Sequence, residues 1–245
     1  MKQKTFKPVI WLLIILILIS YRSLAQSDGT PVSSSDIRKE LDAIYGADTR
    51  LVSGLFYHNP PKGPVAGHPF CIDEEWKNGS VTLNGRLYDD LLLRYDVEDN
   101  ELVLNTSKLN GKSLQICLNT EEISSFEMDG RKFVVFPSGK DEDKPVFCEL
   151  ATDGEIDFLI VRKKEIRIIN SGGNTFEYKE YYDNYLLKDG ELHKFRNRRS
   201  LFRLVPSIKK DLRRYANMQG LSPGRKNVED RALLVNKCNN LLSEQ

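Results

Sequence analysis

The sequence predicts an α+β protein: mainly antiparallel β-structure, as a meander sheet or a barrel of hairpins, with a short N-terminal helix and basic C-terminal helices. Three observations carry this reading. Six Asn-Gly or Asp-Gly dipeptides fall between residues 78 and 190. Helical periodicity is confined to the two ends of the chain. Charge divides in the same place. Residues 26–192 hold 19 basic and 31 acidic side chains, net −12, whereas residues 193–245 hold 13 basic and 4 acidic, net +9.

The first 25 residues have another purpose. Met1–Lys7 is basic, Val9–Ile19 is an unbroken apolar run of eleven, and the small residues Ser23 and Ala25 follow. This is the layout of a secretory signal peptide, so residues 1–25 are expected to be removed and Gln26 to begin the mature chain. A spanning helix needs about 20 apolar residues, and Arg22 interrupts after too few, so no transmembrane helix is expected once the signal is gone. The remaining 220 residues, with 32 basic and 35 acidic side chains, are enough for one large domain that needs no metal or disulfide staple. Export implies an oxidising compartment, periplasm or cell envelope. Four cysteines, Cys71, Cys117, Cys148 and Cys238, allow three full pairings, between which sequence does not choose. Their spacings of 46, 31 and 90 residues match no zinc pattern. Cys117, Cys148 and Cys238 sit among apolar neighbours and read as core thiols.

Residues 26–49 form a polar leader and a short helix. Ser34 or Ser35 caps it, Ile37, Leu41 and Ile44 recur on one face, and Gly46 ends it. Residues 50–196 read as an antiparallel β domain. Leu51–Tyr57 has strand character. The loop His58–Pro69 carries four prolines and cannot enter a central strand. Two-residue hairpin loops of type I′ need positive φ at both positions, which Asn-Gly and Asp-Gly tolerate best. About Asp129-Gly130, Glu127 then faces Lys132 and Phe126 faces Phe133. About Asn84-Gly85, Val81 faces Tyr88. About Asp153-Gly154, Ala151 meets Ile156 and Cys148 meets Leu159. About Asp189-Gly190, Leu187 meets Leu192 and Leu186 meets His193. Asn78-Gly79 and Asn110-Gly111 lack matching flanks and read as plain turns. Along Leu93–Val97 the apolar residues alternate with Arg94 and Asp96, which share a face and can pair.

Residues 197–245 form a basic helical segment packed on the β domain. Pro206 suits a first helical turn. Ile208, Leu212 and Tyr215 line one face, and Gly220 closes that helix. Asn227 caps a last helix with Ala232, Val235, Cys238 (or Asn239) and Leu242 as its stripe. The charge division has two readings. The basic tail docks on the acidic strands by complementarity, or a basic face (Arg203, Lys209, Lys210, Arg213 and Arg214) meets an anionic envelope component or surface. Nucleic acid is not expected as a partner of an exported chain.

No reaction motif is present. The chain lacks Gly-x-Ser-x-Gly, His-Glu-x-x-His, a Walker loop and Gly-x-Gly-x-x-Gly, and no catalytic residue, metal or cofactor is assigned. The three histidines are His58, His68 and His193. A His58/His68/Asp73 metal site is the weakest option. Acidic clusters supply the material for a carboxylate hydrolase acting on envelope polysaccharide, with Asp73, Asp89, Asp90 and Asp96 as the residues to watch. The aromatics Phe176, Tyr178, Tyr181, Tyr182 and Tyr185 serve either as sheet core or as a sugar platform. A closed barrel with an empty apolar interior would instead make a small-ligand carrier. The first expectation is a non-catalytic binding or structural module of the envelope.

Taken together, His68-Pro69-Phe70, Trp76, Gly79–Tyr88, Leu93–Val97, Glu101–Leu104, the pattern Ile123-x-x-Phe126-x-Met128-x-Gly130-x-x-Phe133 and the basic C-terminal helices resemble uncharacterised exported proteins of Gram-negative bacteria. The resemblance spans most of residues 51–245. It supports the β-rich fold and an exported location, and carries over no site residue.

Overall fold

Strands run from Leu55 to Lys194 and helices from Arg198 to Ser243 in a computed structural model. This is the division that periodicity and charge predict. The structure describes Leu51 and residues 54–58, 65–107, 113–137, 145–169, 175–222 and 227–244. The expected signal peptide, leader and short N-terminal helix lie outside the described residues, as does Asn110-Gly111. No helix among the described residues is long and apolar enough to cross a membrane.

The strands are β1 (Leu55–Phe56), β2 (Val65–Ala66), β3 (Lys77–Leu83), β4 (Arg86–Asp96), β5 (Glu101–Ser107), β6 (Ser113–Cys117), β7 (Ile123–Met128), β8 (Arg131–Val135), β9 (Phe147–Thr152), β10 (Ile156–Ile168), β11 (Phe176–Lys188) and β12 (Glu191–Lys194). They form one sheet in the order β1-β6-β5-β4-β3-β7-β8-β9-β10-β11-β12. Every pair is antiparallel except that of β2, which adds parallel to the start of β11 through Val65↔Phe176 and Ala66↔Glu177. The sheet is therefore open and mixed, and the barrel expectation is corrected. β1 contributes only two residues at one edge, too little to meet β12 at the other, and the face by β12 is covered by helices instead.

Three of the predicted hairpins have the expected turn and register. Asn84-Gly85 has φ of 51° and 76°, Asp129-Gly130 53° and 70°, and Asp189-Gly190 52° and 78°. Val81↔Tyr88, Phe126↔Phe133, Glu127↔Lys132 and Leu187↔Leu192 pair across them. The fourth differs. Asp153-Gly154 is part of a three-residue connection, and Phe158 pairs with Thr152, Leu159 with Leu150 and Ile160 with Glu149 after a bulge. Asn78-Gly79 is not a turn: both residues lie inside β3. Gly79 is needed there because a Cβ would collide with the Glu127 carbonyl of β7.

Paired residues share a face of the sheet. One row thus runs Tyr88, Val81, Phe126, Phe133, Glu149, Ile160, Asn184 across seven strands. Two apolar cores sit on this face. The first centres on stacked Phe126 and Phe133 (centroids 4.6 Å apart) with Tyr95 and Phe147 edge-on. The second packs Ile156, Phe158, Ile160 and Leu186 against α1 (Arg198–Leu204), α2 (Lys209–Met218) and α3 (Val228–Ser243). On the opposite face Cys148, Leu159 and Val161 form a third cluster. Ile156–Val161 is buried on both sides except at half-buried Asp157, which is why it reads as an apolar run without alternation.

Candidate functional site

The five basic side chains expected to face an anionic surface are all solvent-exposed. α2 buries Leu212 and Ala216, with Ile208 at its N-cap. At 3.6 residues per turn, Lys210 and Arg214 fall on the opposite side of that helix, and Lys209 and Arg213 fall on its flank. Arg214 lies 3.9 Å from Asp211 on the same helix, with the side chains 75% and 57% exposed, a pair worth little. Among the described residues, Arg203, Lys209, Lys210 and Arg213 have no ion pair. Apolar contacts hold the helices instead, through Phe195, Leu201, Phe202, Leu212, Leu234 and Val235. Buried Arg231 adds to this by donating to the carbonyls of Phe195 and Arg196 and lying over the Phe195 ring. Attraction between a basic tail and acidic strands is not what docks the helices.

A second constellation gathers where residues 67–71 cross the sheet. Phe70 bridges to Asp96 at the end of β4. Lys164 of β10 reaches over to donate to the carbonyls of His68 (3.1 Å) and Phe70 (2.5 Å). Burial and the nearby Lys164 lower the pKa of His68. Phe70 and Trp76 then cover the Arg94 guanidinium, whose carbon lies 4.7 Å and 4.2 Å from their ring centroids. Arg94 and Asp96 do not pair, which corrects the expectation for Leu93–Val97. Asp96 is fully buried and already engaged. It accepts from the Tyr57 hydroxyl (2.7 Å) and from the backbone N–H groups of Glu98 and Asp99. Burial raises its pKa despite these bonds.

Between the two cores runs an ion network. Glu149 accepts from Arg162 at 2.6 Å, Arg131 approaches it at 3.7 Å, and Arg162 also donates to Glu180 at 2.9 Å. Arg162 and Glu149 are each 12% exposed. Burial opposes the Arg162 charge, but Glu149 and Glu180 outweigh it and hold its pKa above the ordinary arginine value. All four cysteines are thiols. Burial pushes Cys71 up to about 11 and Cys148 and Cys238 up to about 12. Burial and the Glu101 carboxylate 3.1 Å away do the same to Cys117, to about 12. Thiols so raised are poor nucleophiles near neutral pH.

The watched carboxylates do not share one cleft. Asp73 is taken by Lys77 at 2.7 Å and by the N–H of Glu75, and Asp96 is the buried turn acceptor just described. Asp89 and Asp90 line a shallow open groove of about 400 Å³ with Glu127 and Asp129. No group of three or more His, Cys, Asp or Glu side chains able to hold a metal occurs among the described residues. The tyrosine-rich stretch is split by the alternation of β11. Tyr182 packs on the helical core, Tyr185 on Phe136 at 5.0 Å, Tyr178 donates to Glu98, and Tyr181 lies exposed beside Arg167.

Sequence reading did not find the aromatic clamp on Arg94 or the Glu149–Arg162 network. Both depend on segments 13 to 94 residues apart. The only local hint was an arginine alternating with core residues. Comparisons with protein-family models, characterised proteins and solved structures find no match.

Proposed function

We propose that this chain is an exported, non-catalytic module of the bacterial cell envelope, whose basic helical face docks on an anionic envelope surface. The observation that carries the reading is the placement of Lys210 and Arg214 opposite the buried side of α2, with Lys209 and Arg213 on its flank. All four are exposed and none is paired with a carboxylate of the sheet. A cation left unpaired on a layer already held by apolar contacts is free to meet an external anion. Near an anionic membrane each such group contributes about 1 kcal/mol, falling off within a Debye length.

The test is co-sedimentation with vesicles of an anionic phospholipid against vesicles of a neutral one. Binding is expected to the anionic vesicles only, and to weaken as salt rises from about 50 mM to about 500 mM, where the Debye length shrinks from over 10 Å to about 4 Å. Glutamate at all four α2 positions is expected to lower the association constant by about three decades at low salt. Binding that ignores salt, or survives the four reversals, refutes the reading.

A further inference from the structure

The Arg94 clamp has no place in the surface docking described above, and its chemistry is unspent. An arginine guanidinium carries five N–H donors in one plane. The other enclosed cations among the described residues use theirs. Arg162 has two carboxylates, Arg231 two carbonyls and a ring, and Lys164 two carbonyls. Arg94 has two aromatic faces and no hydrogen bond or ion pair to any described residue. Its Nε is buried without a partner. The residue as a whole is only half-buried, so its outer Nη edge is what water reaches.

With two rings within 4.7 Å of the guanidinium carbon, the outer nitrogens are what is left for a ligand to approach. The clamp is also firmly built. Phe70 is held by the Asp96 bridge and by Lys164, Tyr57 lies against it with centroids 6.3 Å apart, and Arg94 itself is on the interior strand β4. A fork fixed in this way needs no reordering of its long side chain on binding, which removes much of the entropic cost of capturing an anion.

We infer that Arg94, clamped between Phe70 and Trp76, is a binding site for a carboxylate-bearing ligand, received edge-on by the outer guanidinium nitrogens. A planar carboxylate matches both the fork and the slot between two rings. The surroundings favour one negative charge over two. Glu74 and Asp73 are close enough to act on Arg94 electrostatically, and they would repel a phosphate dianion more than a carboxylate. Asp73 does not occupy the fork, because Lys77 holds it. The site is independent of the basic face of α2, and either can fail without the other.

Trp76 supplies the readout. The chain has two tryptophans, Trp11 and Trp76, so the full chain carrying Trp11→Phe reports from the clamp alone. Sodium acetate is titrated against sodium chloride at matched ionic strength, with inorganic phosphate as a further arm. The expected result is a saturable change in Trp76 emission with acetate that chloride does not reproduce. It should weaken about tenfold in Arg94→Lys, which keeps the charge but not the fork, and vanish in Arg94→Gln. Equal responses to acetate and chloride overturn the proposal, as does an undiminished response in Arg94→Gln. Should Arg94→Gln fail to fold, an acetate response in Arg94→Lys equal to that of the parent overturns it. A saturable, Arg94-dependent response to phosphate that exceeds the acetate response overturns the carboxylate assignment.

Discussion

Asp96 shows how a single buried charge is made tolerable. Its Oδ1 closes the turn between β4 and β5 by accepting from the N–H groups of Glu98 and Asp99, and its Oδ2 takes the Tyr57 hydroxyl. Asp96→Ala strands these donors and is expected to cost about 1–3 kcal/mol, read as a shift in urea midpoint. Asp96→Asn keeps the turn acceptor and removes the charge, which separates hydrogen bonding from ionisation. Because burial raises the folded pKa above the ordinary 3.8, the folded state binds the proton more tightly than the unfolded state. The residue's contribution to stability is therefore greatest below pH 3.8 and declines as pH rises through the raised folded pKa. The stability of the parent relative to Asp96→Asn should fall across that window and then level. A difference that stays constant from about pH 3 to pH 7 would contradict the assignment. Sequence alternation rightly made Tyr95 a core residue and set Arg94 and Asp96 apart from it. It could not show that Arg94 is claimed by Phe70 and Trp76 and Asp96 by Tyr57, since those partners arrive from other strands and loops.

At the scale of elements, local chemistry decided the hairpins wherever nothing else pressed on the turn. At Asn84-Gly85, Asp129-Gly130 and Asp189-Gly190 a Cβ added to the glycine would meet nothing, and turn type and register follow the dipeptide. At Asp153-Gly154 a helix intervenes. Asn239 of α3 accepts from the Ile156 N–H and donates to the Ile156 carbonyl, both at 3.0 Å. Gly154 lies so close that an added Cβ would run into the Asn239 side chain. Packing against a helix 83 residues away thus widens the loop and shifts the register, and no dipeptide signal could announce it. Asn239→Ala orphans two polar groups of fully buried Ile156 and is expected to cost about 1–3 kcal/mol, a drop of several degrees in Tm. Gly154→Ala should also destabilise, but less in the Asn239→Ala background than alone, because the colliding amide is gone. Additive losses in thermal melts of the two single variants and the double variant would mean that the loop and α3 are not coupled.

For the molecule as a whole, the basic C-terminal segment and acidic strands invite the idea that opposite charge holds the helices in place, and the contacts argue otherwise. The helical layer is anchored by Phe158, Phe195, Leu201, Leu212, Leu234 and Val235, by the buried Arg231 and by Asn239. The exposed cations of α2 lie opposite that core or on the helix flank. Stability and charge are separable in consequence. Reversing Lys209, Lys210, Arg213 and Arg214 to glutamate takes residues 193–245 from +9 to +1. Glutamates at positions 209 and 210 sit in the first turn of α2, where the helix dipole favours them by about 0.3–1 kcal/mol each. Glutamate at position 214 meets Asp211 and loses a few tenths. The net of these increments is a small gain, so Tm is expected not to fall below that of the parent and to rise by a few degrees at most. Added salt should leave the Tm difference between the two proteins little changed, because no carboxylate of the strands partners these four positions. If charge held the layer, the reversed variant would melt far lower, and salt would destabilise the parent while rescuing the variant. A loss of anionic-vesicle binding with no fall in Tm would assign this charge to an external surface, and a parallel loss of both would return it to the fold.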